Sequence, residues 1–221
     1  MSTGLRRDPS AGSLIGVIAA AGLGLRALPF TQSVPKCLLR VGGVPLIERN
    51  LLLLRDKLKI RDVRVVIGHH GGSIREHLGD GSRFGVRITY IENNALDREL
   101  AYSIYLGCRG TRSACCVLLG DEYYFGTNHE GLLRPEFRCA LGVCTVIAGP
   151  SADQLRKNYS VTIASGRIAD MREKPRAEHS HMGTGTFLLS AALVEKLERA
   201  FETTGREAPR VFTNWLAEGC R

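Results

Sequence analysis

Apolar and polar positions fall in short blocks along the first half of the chain, and the blocks are of two kinds. Short continuous apolar runs bounded by turn residues read as buried strands, whereas apolar positions three and four apart read as helices. On this basis residues 15–20 (IGVIAA) form a strand, 46–58 a helix, 63–67 (VRVVI) a second strand and 85–91 (GVRITYI) a third. Between the last two, SIREHLG (73–79) is a short helix stopped by its glycine. A helix over 100–107 precedes CCVLLGDEYYF, a buried strand that runs into an acid, Asp121. Strand and helix therefore alternate, which implies an α/β protein: a largely parallel sheet, helices on both faces, and ligands beyond the carboxyl ends of the strands.

The second half changes character. CALGVCTVIA (139–148), YSVTIA (159–164), GRIADMRE (166–173) and GTGTFLLS (183–190) read as strands joined by loops, with SGR (165–167) as a hairpin turn. Helices over 191–202 and 209–218 follow. No internal repeat or linker marks a boundary, so residues 15–221 are expected to form one domain behind a flexible tail at 1–14.

Composition narrows the function. Apolar residues at 44% and charged residues at 24% belong to a chain that folds, and a net charge of +8 favours phosphate-bearing partners. Lys and Arg form no block, and six Tyr, seven Phe and one Trp offer few stacking platforms, which argues against nucleic acid. Seven cysteines without a CxxC pair do not make a zinc site; reduced thiols in a cytoplasmic protein fit better. Cys115 and Cys116, neighbours on a strand, point to opposite faces and serve packing. Arg6 and Arg7 ahead of LIGVIAAA resemble a secretory signal, but Asp8, Pro9 and Gly12 interrupt it, and cleavage would remove the first strand. No run reaches the roughly 18 apolar residues of a membrane span. His69 and His70 lack a nearby acid or cysteine to complete a metal set, and Tyr102 and Tyr105 are spaced to pack on a helix.

The stretch AAGLGLRALPFTQSVPKCLL (20–39) carries the chemistry. Gly22 and Gly24 lack side chains, so successive backbone N–H groups around them can converge on an anion, and Arg26 and Lys36 add positive charge to the same phosphates. The loop is not a Walker loop, because GxxxxGK[ST] is absent, nor a dinucleotide fingerprint, because Ala27 stands where its third glycine would be.

The whole run AAGLGLRALPFTQSVPKCLLRVGGVPLIERNLLLLR resembles the signature of nucleotidyltransferases that join a nucleoside monophosphate to a phosphorylated small molecule. The likeness continues through VRVVIGHH, ENNALDRELAYSIYLG, VLLGDEYYF and REKPRAEHSHMGTGTFLLS. REKP and GTGTFLL look like the sugar-1-phosphate branch, and TQSVPK, LIERNLLLLR and AYSIYLG like the phosphocholine cytidylyltransferase branch. The resemblance implies a Rossmann-like three-layer α/β/α fold with a mostly parallel mixed sheet, as in nucleoside-diphosphate-sugar transferases. It also implies Mg²⁺ as cofactor, an NTP (CTP, dTTP or UTP) and a phosphorylated acceptor as partners, pyrophosphate as product, and in many members a homo-oligomer. A sugar 1-phosphate is the first acceptor it suggests; phosphocholine or another alkyl phosphate or phosphonate, and a catalytically weak nucleotide-binding module, are the alternatives.

By the same resemblance Arg26 and Lys36 bind phosphate, and Asp121 binds the metal and faces the acceptor. Ala20, Ala21, Gly22, Leu23, Gly24 and Ala101 touch the nucleotide, and Glu92 or Asn93 lies near the base. Glu173, Lys174 and Gly185 meet the acceptor. Two departures stand out. Leu25 replaces the family's Ser or Thr, losing a hydroxyl contact to phosphate. In the family, moreover, the helix matching VFTNWLAEGCR leads to a further strand and a W-x-D-x-G motif with a second metal carboxylate, whereas this sequence reaches Arg221. Either the chain is a shortened form or Asp170, Glu122 or Glu173 completes the metal shell.

Overall fold

The computed structural model describes residues 14–138, 140–173, 181–203 and 212–219, without the side chains of Arg26, Glu99, Arg138, Glu173 and several residues of the last helix. Residues 1–13 of the expected tail, Lys174, and residues 209–211 of the last expected helix lie outside the described residues.

Chain order begins with β1 (Ile15–Ala20), a loop with two single-turn 3₁₀ segments, and a two-residue hairpin of β2 (Arg40–Val41) and β3 (Val44–Pro45). Next come α1 (Leu46–Asp56), β4 (Asp62–Ile67), α2 (Gly71–Leu78), β5 (Arg87–Glu92), α3 (Glu99–Cys108) and β6 (Cys115–Leu119). The second half holds α4 (Pro135–Arg138), β7 (Gly142–Ala148), α5 (Ala152–Lys157), β8 (Tyr159–Ala164), β9 (Arg167–Glu173), β10 (His181–Leu189), α6 (Ala191–Thr203) and α7 (Phe212–Gly219).

One mixed sheet of eight strands runs β5-β4-β1-β6-β10-β8-β9, with β7 also on β10. The first four strands are parallel, Val17 lying between Arg64 and Val117. The remaining pairings are antiparallel. This is the three-layer mixed arrangement the alternating first half and the strand-rich second half imply.

Alternation along each strand builds two cores. Val17, Val66, Cys115, Val117 and Phe187 face α3, α6 and α7, while Ile18, Val65, Cys116 and Leu118 face α1 and α2. Cys115 and Cys116 thus divide between the faces and are both buried, as the strand period requires. On α1, Ile47, Leu51 and Leu54 are fully buried; their 4-then-3 spacing gives one stripe, and each contributes about 1.5–3 kcal/mol. Among the described residues no helix is long and apolar enough to cross a membrane.

Several boundaries differ from the sequence reading. The third strand starts at Arg87, because Gly85 (φ 68°) closes a 3₁₀ turn and Val86 N–H turns back to the Gly81 carbonyl. The strand expected from 139 begins at Gly142, and α2 begins earlier than expected, at Gly71. The turn at Ser165 and Gly166 has both residues left-handed (φ 51° and 74°), the geometry of a tight hairpin.

Candidate active site

The carboxyl ends of β1, β4, β5 and β6 open on one edge of the sheet, and the glycine loop leaves β1 there. Gly24 adopts φ 69°, and a Cβ on it would come 3.0 Å from Thr31 Cβ. Only glycine combines that backbone with that contact. Thr31 Oγ1 donates to the Gly24 carbonyl at 2.8 Å, and Ala27 N–H to the same carbonyl at 2.9 Å, so the loop is tied across its own width. Gly22 has open space where a side chain would stand, and Leu23 is exposed. Ala20 and Ala21 are buried at the base of the loop. Arg26 lies in a 3₁₀ turn (Leu25–Ala27) of this loop.

Pro35 ends the loop and a second 3₁₀ turn opens on Lys36. The Lys36 ammonium donates to Asp121 Oδ2 at 2.5 Å, so two of the expected phosphate and metal residues meet directly. Asp121 owes its place to continued pairing past β6: Gly120 N–H donates to the Ala19 carbonyl at 2.9 Å and Glu122 N–H to that of Leu119 at 3.3 Å. From α1, the buried Asn50 donates its amide to the Leu119 carbonyl at 3.0 Å. Beneath the pair, burial and then the Asp121 charge push the Cys37 thiol up to about 12. It is a neutral packing group, not a nucleophile.

Beside the loop, Gly68 lies so close that a Cβ would fall 2.9 Å from the Ala21 carbonyl and 2.6 Å from Leu96. Asn93 is buried; its amide donates to Ser103 Oγ and its carbonyl oxygen accepts from Ala95 N–H, both at 2.9 Å, which shapes the turn after β5. Glu92 is exposed, paired with Arg75 at 2.9 Å, and lines a cavity of about 300 Å³ with Gly68, Gly72 and Asn94. Of Glu92 and Asn93, Glu92 is therefore the exposed one. Ala101, on α3, is fully buried in the core. Tyr102 and Tyr105 pack with Phe201, as their spacing predicts.

Gly185 sits in β10 against the end of β6, and its N–H donates to Glu122 Oε2 at 2.8 Å. That N–H is committed within the protein, and the residue is buried. Glu173 ends β9, its side chain outside the described residues together with Lys174. Of the candidate second carboxylates, Asp170 on β9 pairs with Arg172 at 2.6 Å and Glu122 turns inward, its pKa raised by burial. Among the described residues no three His, Cys, Asp or Glu side chains gather as a metal set. Mg²⁺ asks less of the protein, since one or two carboxylates plus substrate phosphates complete its octahedron. A partly exposed Asp121 beside the glycine loop fits that requirement.

Sequence reasoning passed over Asn50 and His129, and weighed Glu122 only as a metal ligand. All three act through contacts between distant elements, for which no local pattern exists.

Comparison with known proteins places the chain. Fold and site belong to the open α/β class whose ligands collect beyond the carboxyl ends of parallel strands. A family profile described as Nucleotidyl transferase matches residues 15–213, and the chain belongs to that family. It is 26% identical over 194 residues to a UTP–glucose-1-phosphate uridylyltransferase of Synechocystis sp., covering 81% of this chain and 50% of the relative. It is 33% identical over 172 residues to a glucose-1-phosphate thymidylyltransferase of Mycolicibacterium smegmatis, covering 75% and 57%. The chain thus spans little more than half the length of these relatives. A Bacillus anthracis structure described as a glucose-1-phosphate thymidylyltransferase in complex with a sucrose superposes with a TM-score of 0.80 at 22% identity, covering 94% of this chain and 85% of that one. A UDP-glucose pyrophosphorylase structure with UDP-glucose gives 0.74 at 19% identity, covering 94% and 87%. These likenesses establish the fold.

Proposed function

We propose that the chain transfers a nucleoside monophosphate from a nucleoside triphosphate to the phosphate of a sugar 1-phosphate, releasing pyrophosphate. The observation that carries this reading is the Lys36–Asp121 contact, which sets a cation and a carboxylate side by side where the glycine loop leaves the parallel sheet. Membership of the nucleotidyl transferase family supports it. In this reading the backbone N–H groups of residues 21–24 hold the polyphosphate and Arg26 adds charge. Lys36 lies against the α-phosphate. The acceptor's phosphate oxygen attacks the α-phosphorus in line, the bond to the β-phosphate oxygen breaks, and pyrophosphate leaves. A phosphate monoester is largely ionised near neutral pH, its second pKa being about 6, so no general base is required. That accounts for a site without an activated nucleophile: its work is alignment and charge neutralisation. Mg²⁺, held by Asp121, would supply the neutralising charge on the reacting oxygens.

The uridylyl and thymidylyl transfers named for the relatives make UTP and dTTP the first nucleotides to test, with CTP beside them. Each is incubated with Mg²⁺ and either glucose 1-phosphate or phosphocholine, and pyrophosphate is measured. Release with a sugar 1-phosphate is expected; silence in every combination overturns the reading. Asp121→Ala should lower turnover at least about a hundredfold while keeping the melting curve. Turnover that survives the change would remove Asp121 from the reaction.

A further inference from the structure

The middle of β10 is irregular, and the way it is held points to a residue the site has not yet used. Its register against β7 shifts between Gly183 and Phe187, and its pairing with β6 begins only at Thr186. Thr184, Gly185 and Thr186 therefore leave the regular ladder on the β7 side and are fixed by side chains. Tyr159 Oη donates to the Thr184 carbonyl at 2.7 Å, Thr145 Oγ1 meets Thr184 Oγ1, and His129 Nε2 meets Thr186 Oγ1 at 2.9 Å. The remaining group, Gly185 N–H, donates to Glu122 Oε2 at 2.8 Å.

Glu122 follows Asp121 directly, and the two carboxylates diverge. One meets Lys36 of the nucleotide loop, the other the backbone of β10. Gly185 permits the approach, since a Cβ there would stand 2.4 Å from Leu119 Cγ and 2.6 Å from Glu122 Oε1. The Gly185 N–H is buried, so leaving it without an acceptor is costly, and its bond to Glu122 joins elements 63 residues apart.

We propose that Glu122 is a positioning residue: its carboxylate clamps Gly185 of β10 to the Asp121 turn and so holds the acceptor side of the site in register with the nucleotide side. The role in transfer rests on the function proposed above; the clamp itself does not. It also assigns Glu122 to structure rather than to the metal shell.

Two variants and two readouts test this. Glu122→Ala removes the acceptor of the Gly185 N–H, whereas Glu122→Gln keeps an oxygen that can accept it. Hydrogen exchange should show the Gly185 amide protected in the wild type and in Glu122→Gln, and exchanging at least about tenfold faster in Glu122→Ala, with the Val17 and Leu118 amides still protected in all three. Kinetically, Glu122→Ala should lose about tenfold or more in kcat, because small misplacements at a reacting centre are costly, while nucleotide affinity by calorimetry changes less than about threefold; Glu122→Gln should recover most of the loss. Unchanged Gly185 exchange in Glu122→Ala overturns the clamp. If Glu122→Ala does not fold, the Gln variant decides: protection of Gly185 supports the clamp and its loss overturns it. Unchanged kcat in a folded Glu122→Ala overturns the positioning role. A wild type that shows the exchange pattern but releases no pyrophosphate with any substrate pair overturns the proposed function alone.

Discussion

Lys36 and Asp121 stand 85 positions apart in sequence and 2.5 Å apart in space, yet their side chains are 37% and 35% exposed. An ion pair that open contributes about 1 kcal/mol or less to stability, so stability does not explain it, in keeping with the charged-ligand site proposed above. The residue beneath behaves oppositely. Cys37 is buried, its thiol raised from an ordinary 9.0 to about 12 first by desolvation and then by Asp121, and Cys116, inside the sheet, is raised to about 12 by burial and then by Cys115. The folded state keeps these protons where the unfolded chain gives them up. It therefore binds more protons as pH climbs from 9 towards 12, and stability must fall across that window. Urea midpoints at pH 8 and pH 10.5 should drop more in the wild type than in Cys116→Ala, and an equal drop in both would mean that the Cys116 thiol is not the source.

At the scale of elements, α3 lies against β1 and β4 through a single absent side chain. A Cβ on Gly107 would stand 2.4 Å from Val17 Cγ1 and 3.0 Å from Val66 Cγ2, inside a core where both valines are fully buried. Alanine would gain about 1 kcal/mol of helix propensity and lose about 1–3 kcal/mol to overpacking. Overpacking should win, because neither strand can yield without breaking its ladder. Gly107→Ala is thus expected to be less stable by urea unfolding, and Gly107→Ala with Val17→Ala less destabilised than the two singles added; strict additivity would mean the contact is not where the cost lies. The contrast between legible and illegible features has the same origin. The strand at 15–20 and the helix from 46 could be read because periodicity is local. Helix α5 also carried a local sign, the reciprocal capping box of Ser151 and Gln154, but is only six residues long and lacks an apolar stripe. Lys36 and Asp121 were found through motifs, whereas the Glu122–Gly185 clamp is a pairing across the sheet that neither segment announces. A motif position also gives no depth: the helix turns Ala101 into the core.

For the whole molecule, the question is whether the parallel and antiparallel halves fold as one. Among the links that join them, β10 pairs with β6 through Thr186–Leu118 to Leu189–Cys115, and one core cluster runs from Val17 and Val66 to Phe187, Leu189, Leu193 and Leu216. Unfolding the second half alone would strip α6 and α7 from the face of β1 and β6 and expose fully buried residues such as Val17 and Val117. Exposing a valine costs about 1.5 kcal/mol or more, so a half-folded state exposing several such residues is disfavoured. The sequence holds one tryptophan, Trp215, which lies on α7 and packs beside Phe212 with ring centroids 6.0 Å apart. Its fluorescence reports the second half, whereas far-UV circular dichroism reports all helices and strands. The two urea transitions should therefore coincide in midpoint and slope, the sign of a single cooperative unit. A fluorescence transition at clearly lower urea would mean that α7 and the antiparallel strands detach first, and that the cluster drawn across β6 does not bind the halves together.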